Sequence, residues 1–589
     1  MLPNKRCYLA TTGISQLWDF NGGILFLGPW CLAERKNCLL VDGKSYSVVP
    51  SPWKPVERVH EAALYTQNIY NEILPILSEK LNILHGVSYP FQYWQILLGP
   101  WLLHFIEILY ERYVRIKKAL ELFPDFYTHV LPEETCMLVS RDTYDFLSLK
   151  GKVSDDLYNL KLFSICIRNL CPEKAVPAGN ELIPQEKNQE QLTSFRRKIF
   201  RNFKKISDIF FTSRVILSDM YRLSYVEMLR LELCLNIRFQ DLSRIKKPPC
   251  EESNFFDFRQ RLAFDNGTAG DFPGLLYKMI PRAVPLAFVE HYKTYKKAIK
   301  VKRPVQIVGS AVGWYFNEEF KFFAAEAFLR GAKVVEFQHG GGYGMSLSVP
   351  SEFMGLEKDI FYTWGWGNGI ESRAKPLPSP YLSRLKNSAR PKAEELLFIG
   401  TSTHRYISMF CNYLLPDDMP KYFNDKKIFF GALKKETRGK VMYRPYPEVG
   451  WNEIDSVSQF VPDMKFFQSG ILVDRMKKAK LVIIDHLSTT FLEALTVNVP
   501  CVLFWDHQVN ALRAEAEPYF EYLRKAGILH KTPQDAARKV DEICDDPLAW
   551  WRMEETQEFK NKFCSHFALT SDDWLGVWAK EFGVVHENR

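Results

Sequence analysis

From Val305 onward the chain repeats one pattern: a short apolar run, a turn of glycines or hydroxyls, then a stretch spaced like a helix. Val305-Gln306-Ile307-Val308-Gly309 reads as a strand, Glu318 to Arg330 as a helix, and Lys333 to Phe337 as the next strand. A fresh unit starts at Glu395-Leu396-Leu397-Phe398-Ile399-Gly400, with further strands near Lys440 to Tyr443, Leu481 to Ile484 and Cys501 to Trp505. Apolar strands without polar alternation are buried on both faces, the condition of a parallel sheet covered by helices. That restricts the fold class to α/β.

The 589 residues exceed what one hydrophobic core usually serves, so at least two domains are expected. The opening repeats the strand-and-turn pattern in Cys7 to Thr12 and in Ile24 to Pro29. From Val56 to about Leu122 the apolar spacing becomes helical, and residues from about 56 to 300 read as a large, mainly helical insertion. Cys171 to Ser194 reads as an exposed loop, and Phe195 to Phe211 as a basic amphipathic helix. Pro, Ser, Lys and Arg from Lys375 to Pro391 mark the preferred linker between domains. The expected division is 1–385, 392–570 and a tail at 571–589, with the final helices crossing back.

Several function classes are excluded. An aromatic share of 14% argues against disorder, since chains that stay unfolded are poor in large apolar side chains. The twelve cysteines form no Cys-x-x-Cys pair, so they read as reduced, mostly buried thiols rather than zinc ligands. Phe91 to Tyr110 is the best membrane-span candidate, but Gln92, Gln95, His104, Glu107 and Gly99-Pro100 make it a buried core helix instead. Met1 to Thr12 has no signal-peptide pattern, so a cytoplasmic protein is expected. Walker, Gly-x-Ser-x-Gly and His-Glu-x-x-His patterns do not occur, nucleic-acid motifs do not occur, and no residue pattern calls for a metal or cofactor.

The strongest local signal is the strand Leu481 to Ile484, followed by Asp485-His486-Leu487-Ser488-Thr489-Thr490 and a helix containing Glu493. Ligands of doubly wound sheets bind beyond the carboxyl ends of strands. There Ser488, Thr489 and Thr490 offer hydroxyls and free N–H groups to a phosphate at the positive end of a helix. Glu493, one turn along, could accept bonds from ribose hydroxyls. The same residues also fit a plain N-cap at Ser488 and a turn held by Asp485. The second signal is Gln338-His339-Gly340-Gly341-Gly342-Tyr343-Gly344 after a strand. Consecutive glycines let a ligand approach the backbone, and His339 is placed to act as general base toward an acceptor hydroxyl. Thr401, Ser402, His404 and Arg405 form the first strand-to-helix loop of the second unit, and Arg444 follows another of its strands. Both could meet phosphate or carboxylate. Thr11, Thr12, Trp18, Asp19 and His85 are the acceptor candidates of the N-terminal part, whereas Trp30 and Trp101 read as core.

The order strand–Gln338-His339-Gly340, linker, strand–Arg444-Pro445, strand–Asp485-x-x-Ser488-Thr489-Thr490 resembles the CDP-glycerol glycerophosphotransferases and the capsular Kdo transferases. Over its whole length the chain resembles a bacterial family of transferases of surface carbohydrate (O-antigen or capsule) synthesis. Tyr8 to Thr12, Leu84-His85-Gly86, Tyr93-Trp94 through Trp101, Trp364-Gly365-Trp366, Tyr446-Pro447 and Ala526 to His530 carry that likeness. The resemblance implies a GT-B fold of two Rossmann-like domains, the first binding acceptor and the second the nucleotide. His339 would be the base; Arg444, Ser488 and Thr489 would hold the donor phosphate. The donor implied is a nucleotide sugar, CMP-linked Kdo or nonulosonic acid foremost. The acceptor is a glycan or lipid-linked glycan. Arg444 stands where the family has His-Pro, and Thr489 where it has a second serine, so a CDP-linked group or a sugar diphosphate stays open. Rival readings are a CDP-glycerol-type phosphotransferase, a nucleotide-sugar epimerase, and a non-catalytic assembly or export factor. The basic clusters at 195–211 and 293–303 suit either an anionic inner-membrane surface or plain solvation.

Overall fold

The computed structural model describes residues 7–33, 46–179, 213–239, 256–264, 271–367, 372–386 and 395–587. The basic helix read at 195–211 lies outside them. Three six- or five-stranded parallel sheets organise the chain. The first sheet takes β1 (Cys7–Ala10), β2 (Ile24–Phe26), β3 (Tyr46–Val48), β4 (Phe126–Val130) and β5 (Ala175–Pro177), in the order β3-β2-β1-β4-β5. The second takes β6 (Val215–Ser218), β7 (Ile237–Phe239), β8 (Ile307–Ser310), β9 (Lys333–Phe337), β10 (Ile360–Thr363) and β11 (Ala374–Pro376), in the order β11-β10-β9-β8-β6-β7. The third takes β12 (Glu395–Ile399), β13 (Val441–Arg444), β14 (Lys465–Phe466), β15 (Ala479–Ile484), β16 (Cys501–Phe504) and β17 (Leu529–His530), in the order β14-β13-β12-β15-β16-β17.

The α/β class holds, and loops at the carboxyl ends of strands of the second and third sheets line one cleft. One correction concerns the segment read as a helical insertion. It does hold the long helices Glu57–His85 and Phe91–Leu122, but it also supplies β4 to β7. The first five strands therefore close a sheet of their own, and the second begins only at Val215. These strands are three to five residues long, too short to stand out from the helical spacing around them. The first half of the expected linker holds regular structure, β11 and the helix Pro380–Lys386.

Phe91–Leu122 is the central helix of the N-terminal core, with Tyr93, Trp94, Trp101 and Phe105 buried. Among the described residues, no helix is long and apolar enough to cross a membrane. No disulfide joins the described cysteines, which are buried except Cys234 and Cys564. The helix Trp574–Glu587 crosses back from the third unit to the second: Trp574, Trp578 and Phe582 join one apolar cluster with Val215, Leu217, Leu231 and Phe337. The Phe337 and Trp578 rings stack at 5.5 Å.

The interdomain cavity as candidate active site

In the third sheet the strand order reverses between β12 and β15, and a ligand crevice is expected beyond the carboxyl ends of those two strands. A cavity of about 730 Å³ opens there. Thr401 to His404 after β12, Asp485 to Thr489 after β15, Asp506 after β16 and Lys531 after β17 form one wall. Opposite stand His339, Gly340, Gly341 and Tyr343 after β9, with Tyr221 after β6. Leu149 from the first unit and the loop through Ile407, Met409 and Leu414 supply an apolar side.

The glycine loop fits the start of the helix Thr489–Val497 closely. The Gly341 N–H donates to Thr489 Oγ1 at 2.7 Å, and the Tyr413 hydroxyl donates to the Gly341 carbonyl at 3.1 Å. A Cβ on Gly341 would stand 2.5 Å from the Ser488 carbonyl carbon, so only glycine permits this approach. Gln338 is buried and holds the loop from behind. Its Oε1 accepts from the Trp364 N–H at 2.8 Å and the Trp366 indole at 2.9 Å, while its Nε2 donates to the Gly340 carbonyl at 2.8 Å. It is therefore a clamp for the loop rather than an acceptor contact.

His339 reaches the cavity with its ring largely enclosed, and burial pushes its imidazole down to about 4. It is neutral at neutral pH and able to take a proton. The Tyr343 hydroxyl lies 3.1 Å from its ring nitrogens and donates to Ser351 Oγ at 2.7 Å. Tyr315 packs against the ring at 5.6 Å between centroids.

On the other wall, Ser488 is the N-cap of its helix, accepting from the Thr490 N–H at 3.1 Å. Asp485 is fully enclosed. It accepts from Lys426 Nζ at 2.6 Å and the Tyr422 hydroxyl at 2.8 Å, and lies 3.0 Å from His486 Nδ1. Burial alone would raise this carboxyl, but Lys426 and His486 together hold it below the usual carboxylate range. Lys426 also meets the Tyr443 hydroxyl at 2.8 Å and Glu453 at 3.3 Å. A buried cation shared by two carboxylates and two phenols makes this a stiff floor, because losing one partner would strand an uncompensated charge.

The cavity thus gathers His339, Gly340, Gly341, Thr401, Ser402, His404, Asp485, Ser488 and Thr489. Other expected contacts are placed elsewhere. Arg444 turns back to donate to the Phe467 carbonyl at 3.0 Å, at the edge of the sheet. Arg405 pairs with Asp156 of the first unit at 2.8 Å. Glu493 is buried against Arg222 at 2.7 Å and the Tyr381 hydroxyl at 2.8 Å, an interdomain tie rather than a ribose contact. Thr490 and Gly342 also fall outside the lining, Gly342 at a positive φ of 87° beside Tyr413. Thr11, Thr12 and Trp18 belong to the first sheet's core: the Trp18 indole donates to the Thr12 carbonyl at 3.2 Å, and none reaches the cavity. His404 does line it, bonded through Nδ1 to Ser154 Oγ at 2.6 Å, and burial lowers its imidazole.

Tyr413, Lys421, Tyr422, His486, Asp506 and Lys531 line the cavity without having been singled out. Asp506 and Lys531 follow the strand-end rule that flagged Asp485 and could have been found by it. Lys421 could not, because its reach to Asp425 at 2.7 Å and Asp506 at 3.1 Å depends on how its helix sits. Among the described residues no cluster of His, Cys, Asp and Glu could hold a metal ion.

A model of the LIC12162 family transferases matches residues 7–582. No curated protein matches the chain. Among solved structures, it is similar to an O-GlcNAc transferase mutant of Thermobaculum terrenum, with 13% identity, 90% of this chain and 98% of that chain covered, and a TM-score of 0.28. It is also similar to MurG of Acinetobacter baumannii, with 11% identity, 64% of this chain and 100% of that one, and a TM-score of 0.29. A third is WaaG, a glycosyltransferase involved in lipopolysaccharide biosynthesis, with 11% identity, 63% and 99% coverage, and a TM-score of 0.27.

Proposed function

The chain belongs to the LIC12162 family of transferases, and on that footing we propose that it moves a sugar from a nucleotide donor to a hydroxyl of a glycan acceptor. One observation carries the reading: a single cavity at the switch point of the third sheet has a neutral histidine on one wall and a helix N-terminus on the other. The donor phosphate belongs at the turn Leu487 to Thr489, where N–H groups without helical partners and the positive end of the helix favour an anion. The acceptor hydroxyl belongs at His339, which takes its proton as the new glycosidic bond forms. Holding both reactants in one enclosed space removes much of the entropic barrier, and fixed donors at the departing phosphate supply the electrostatic part.

The order of the His339, Arg444 and Ser488 motifs supports a CMP-linked Kdo or nonulosonic acid as donor and a bacterial surface polysaccharide or its lipid-linked precursor as product. Exposed Lys293, Lys297, Lys300, Lys302 and Arg303 would let the cytoplasmic enzyme rest against an anionic inner membrane. A thermal-shift panel of CMP-, CDP- and UDP-linked compounds tests the donor, since a ligand at 100 times its Kd stabilises by about 2.7 kcal/mol. Incubation with the best binder, with and without acceptor, then separates transfer from epimerisation, which needs no acceptor. A panel in which no nucleotide raises the melting temperature rejects the reading.

A further inference from the structure

Three histidines line the cavity, His339, His404 and His486; the reaction as derived uses only His339, and His404 is tied through Nδ1 to Ser154. His486 stands two residues beyond the carboxyl end of β15 and two before the helix cap Ser488. We propose that His486 is a second catalytic residue, gripping the departing donor phosphate through Nε2 while Asp485 fixes its ring through Nδ1. The proposal rests on the nucleotide-transfer reading of this cavity.

The geometry separates the two ring nitrogens by task. Nδ1 lies 3.0 Å from Asp485 Oδ1, and that carboxylate is itself anchored by Lys426 and Tyr422, so it cannot follow a moving ring. With Nδ1 spent on the wall behind, Nε2 is the nitrogen left to a ligand, in a side chain that lines the cavity while only 7% exposed. A histidine needed only to fill space would require no ionised, triply bonded carboxylate at its back; one that must present Nε2 in a fixed direction does. The charged and titratable groups around it come from every neighbouring element. Tyr422 and Lys426 lie on the helix Met419–Ala432, Tyr443 on β13 and Glu453 on the helix Glu453–Phe460. Asp506 follows β16, and His339 faces from the second unit.

In the step, the acceptor oxygen forms a bond to the anomeric carbon and gives its proton to His339. The bond from that carbon to the phosphate oxygen breaks, and its electron pair stays on the phosphate. With a proton on both nitrogens, His486 donates one N–H to Asp485 and the other to that oxygen, so no further proton transfer is needed. Removing one such donor costs about 10²–10³ in kcat.

The test uses full-length wild type with His486→Gln and His486→Asn. A Gln amide reaches the position of Nε2, and an Asn amide only that of Nδ1. CMP is the probe. Calorimetry gives its affinity, and ³¹P resonance of bound CMP gives the pH at which its dianionic phosphate takes up a proton. The expected result is that wild type keeps the bound phosphate dianionic to a pH about one unit lower than His486→Asn does. His486→Gln should fall between, and kcat should drop in the same order with the best donor. A purely structural histidine would not move the phosphate titration. Equal titration and affinity in all three proteins overturns the role of His486 while leaving the cavity reading intact. Wild type that binds neither CMP nor CDP overturns both.

Discussion

At the scale of single residues, His339 makes the sharpest statement. Its ordinary value is 6.5 and enclosure pushes it to about 4, so between those values the unfolded chain holds the extra proton. Stability therefore rises with pH across that window, is complete above about 6.5 and is lost as pH falls toward 4, with a ceiling of about 3 kcal/mol. Urea unfolding of wild type and His339→Asn at about pH 7.5 and about pH 5 should show a smaller loss in the variant; identical losses would refute a depressed imidazole. The same variant should lose transfer by about 10²–10⁴-fold while folding normally. Lys426→Met should cost about 3–5 kcal/mol, read as a lowered urea midpoint, because it strands Asp485 and Glu453 as buried charges. Arg405, Arg444 and Glu493 show why strand-end position misleads for long side chains. The sequence places the Cα, but each side chain has several equally near partners, and here Asp156, Phe467 and Arg222 prevail.

Among elements, the decisive pair is the glycine loop after β9 and the helix that starts at Thr489. Sequence reasoning located both, since short apolar runs ending in glycine or hydroxyls are how strand-to-helix turns are written. It could not tell that they touch. Gly341→Ala places a methyl 2.5 Å from the Ser488 carbonyl carbon and should push loop and helix apart. Transfer should fall more than tenfold with little change in melting temperature; an Ala variant with full activity would mean the contact is idle. Ser488→Ala removes an N-cap and should cost about 1 kcal/mol by urea titration. β4 to β7 escaped notice because three to five residues carry too little periodicity to override helical neighbours.

For the whole molecule, the helix Trp574–Glu587 decides whether the second and third units act as one body. Trp578 is buried against Phe337 and donates its indole N–H to the Pro378 carbonyl at 2.9 Å. Trp578→Ala should cost about 3–5 kcal/mol, and truncation after residue 570 should lower the melting temperature and expose an apolar face that aggregates on size exclusion. A truncated chain as stable as the full one would show that the cross-over is not part of the core. The amino-acid sequence by itself determined the α/β class, six of the twelve strands of the second and third sheets, and the two turns that carry His339 and Ser488. Those follow from local chemistry: which runs must be buried on both faces, and which residues can turn a chain. Only the tertiary structure decided that there are three sheets, that Gly341 seats against Thr489, and that His486 rather than Arg444 shares the cavity. Such facts depend on contacts between segments hundreds of residues apart, whose energies no local pattern encodes.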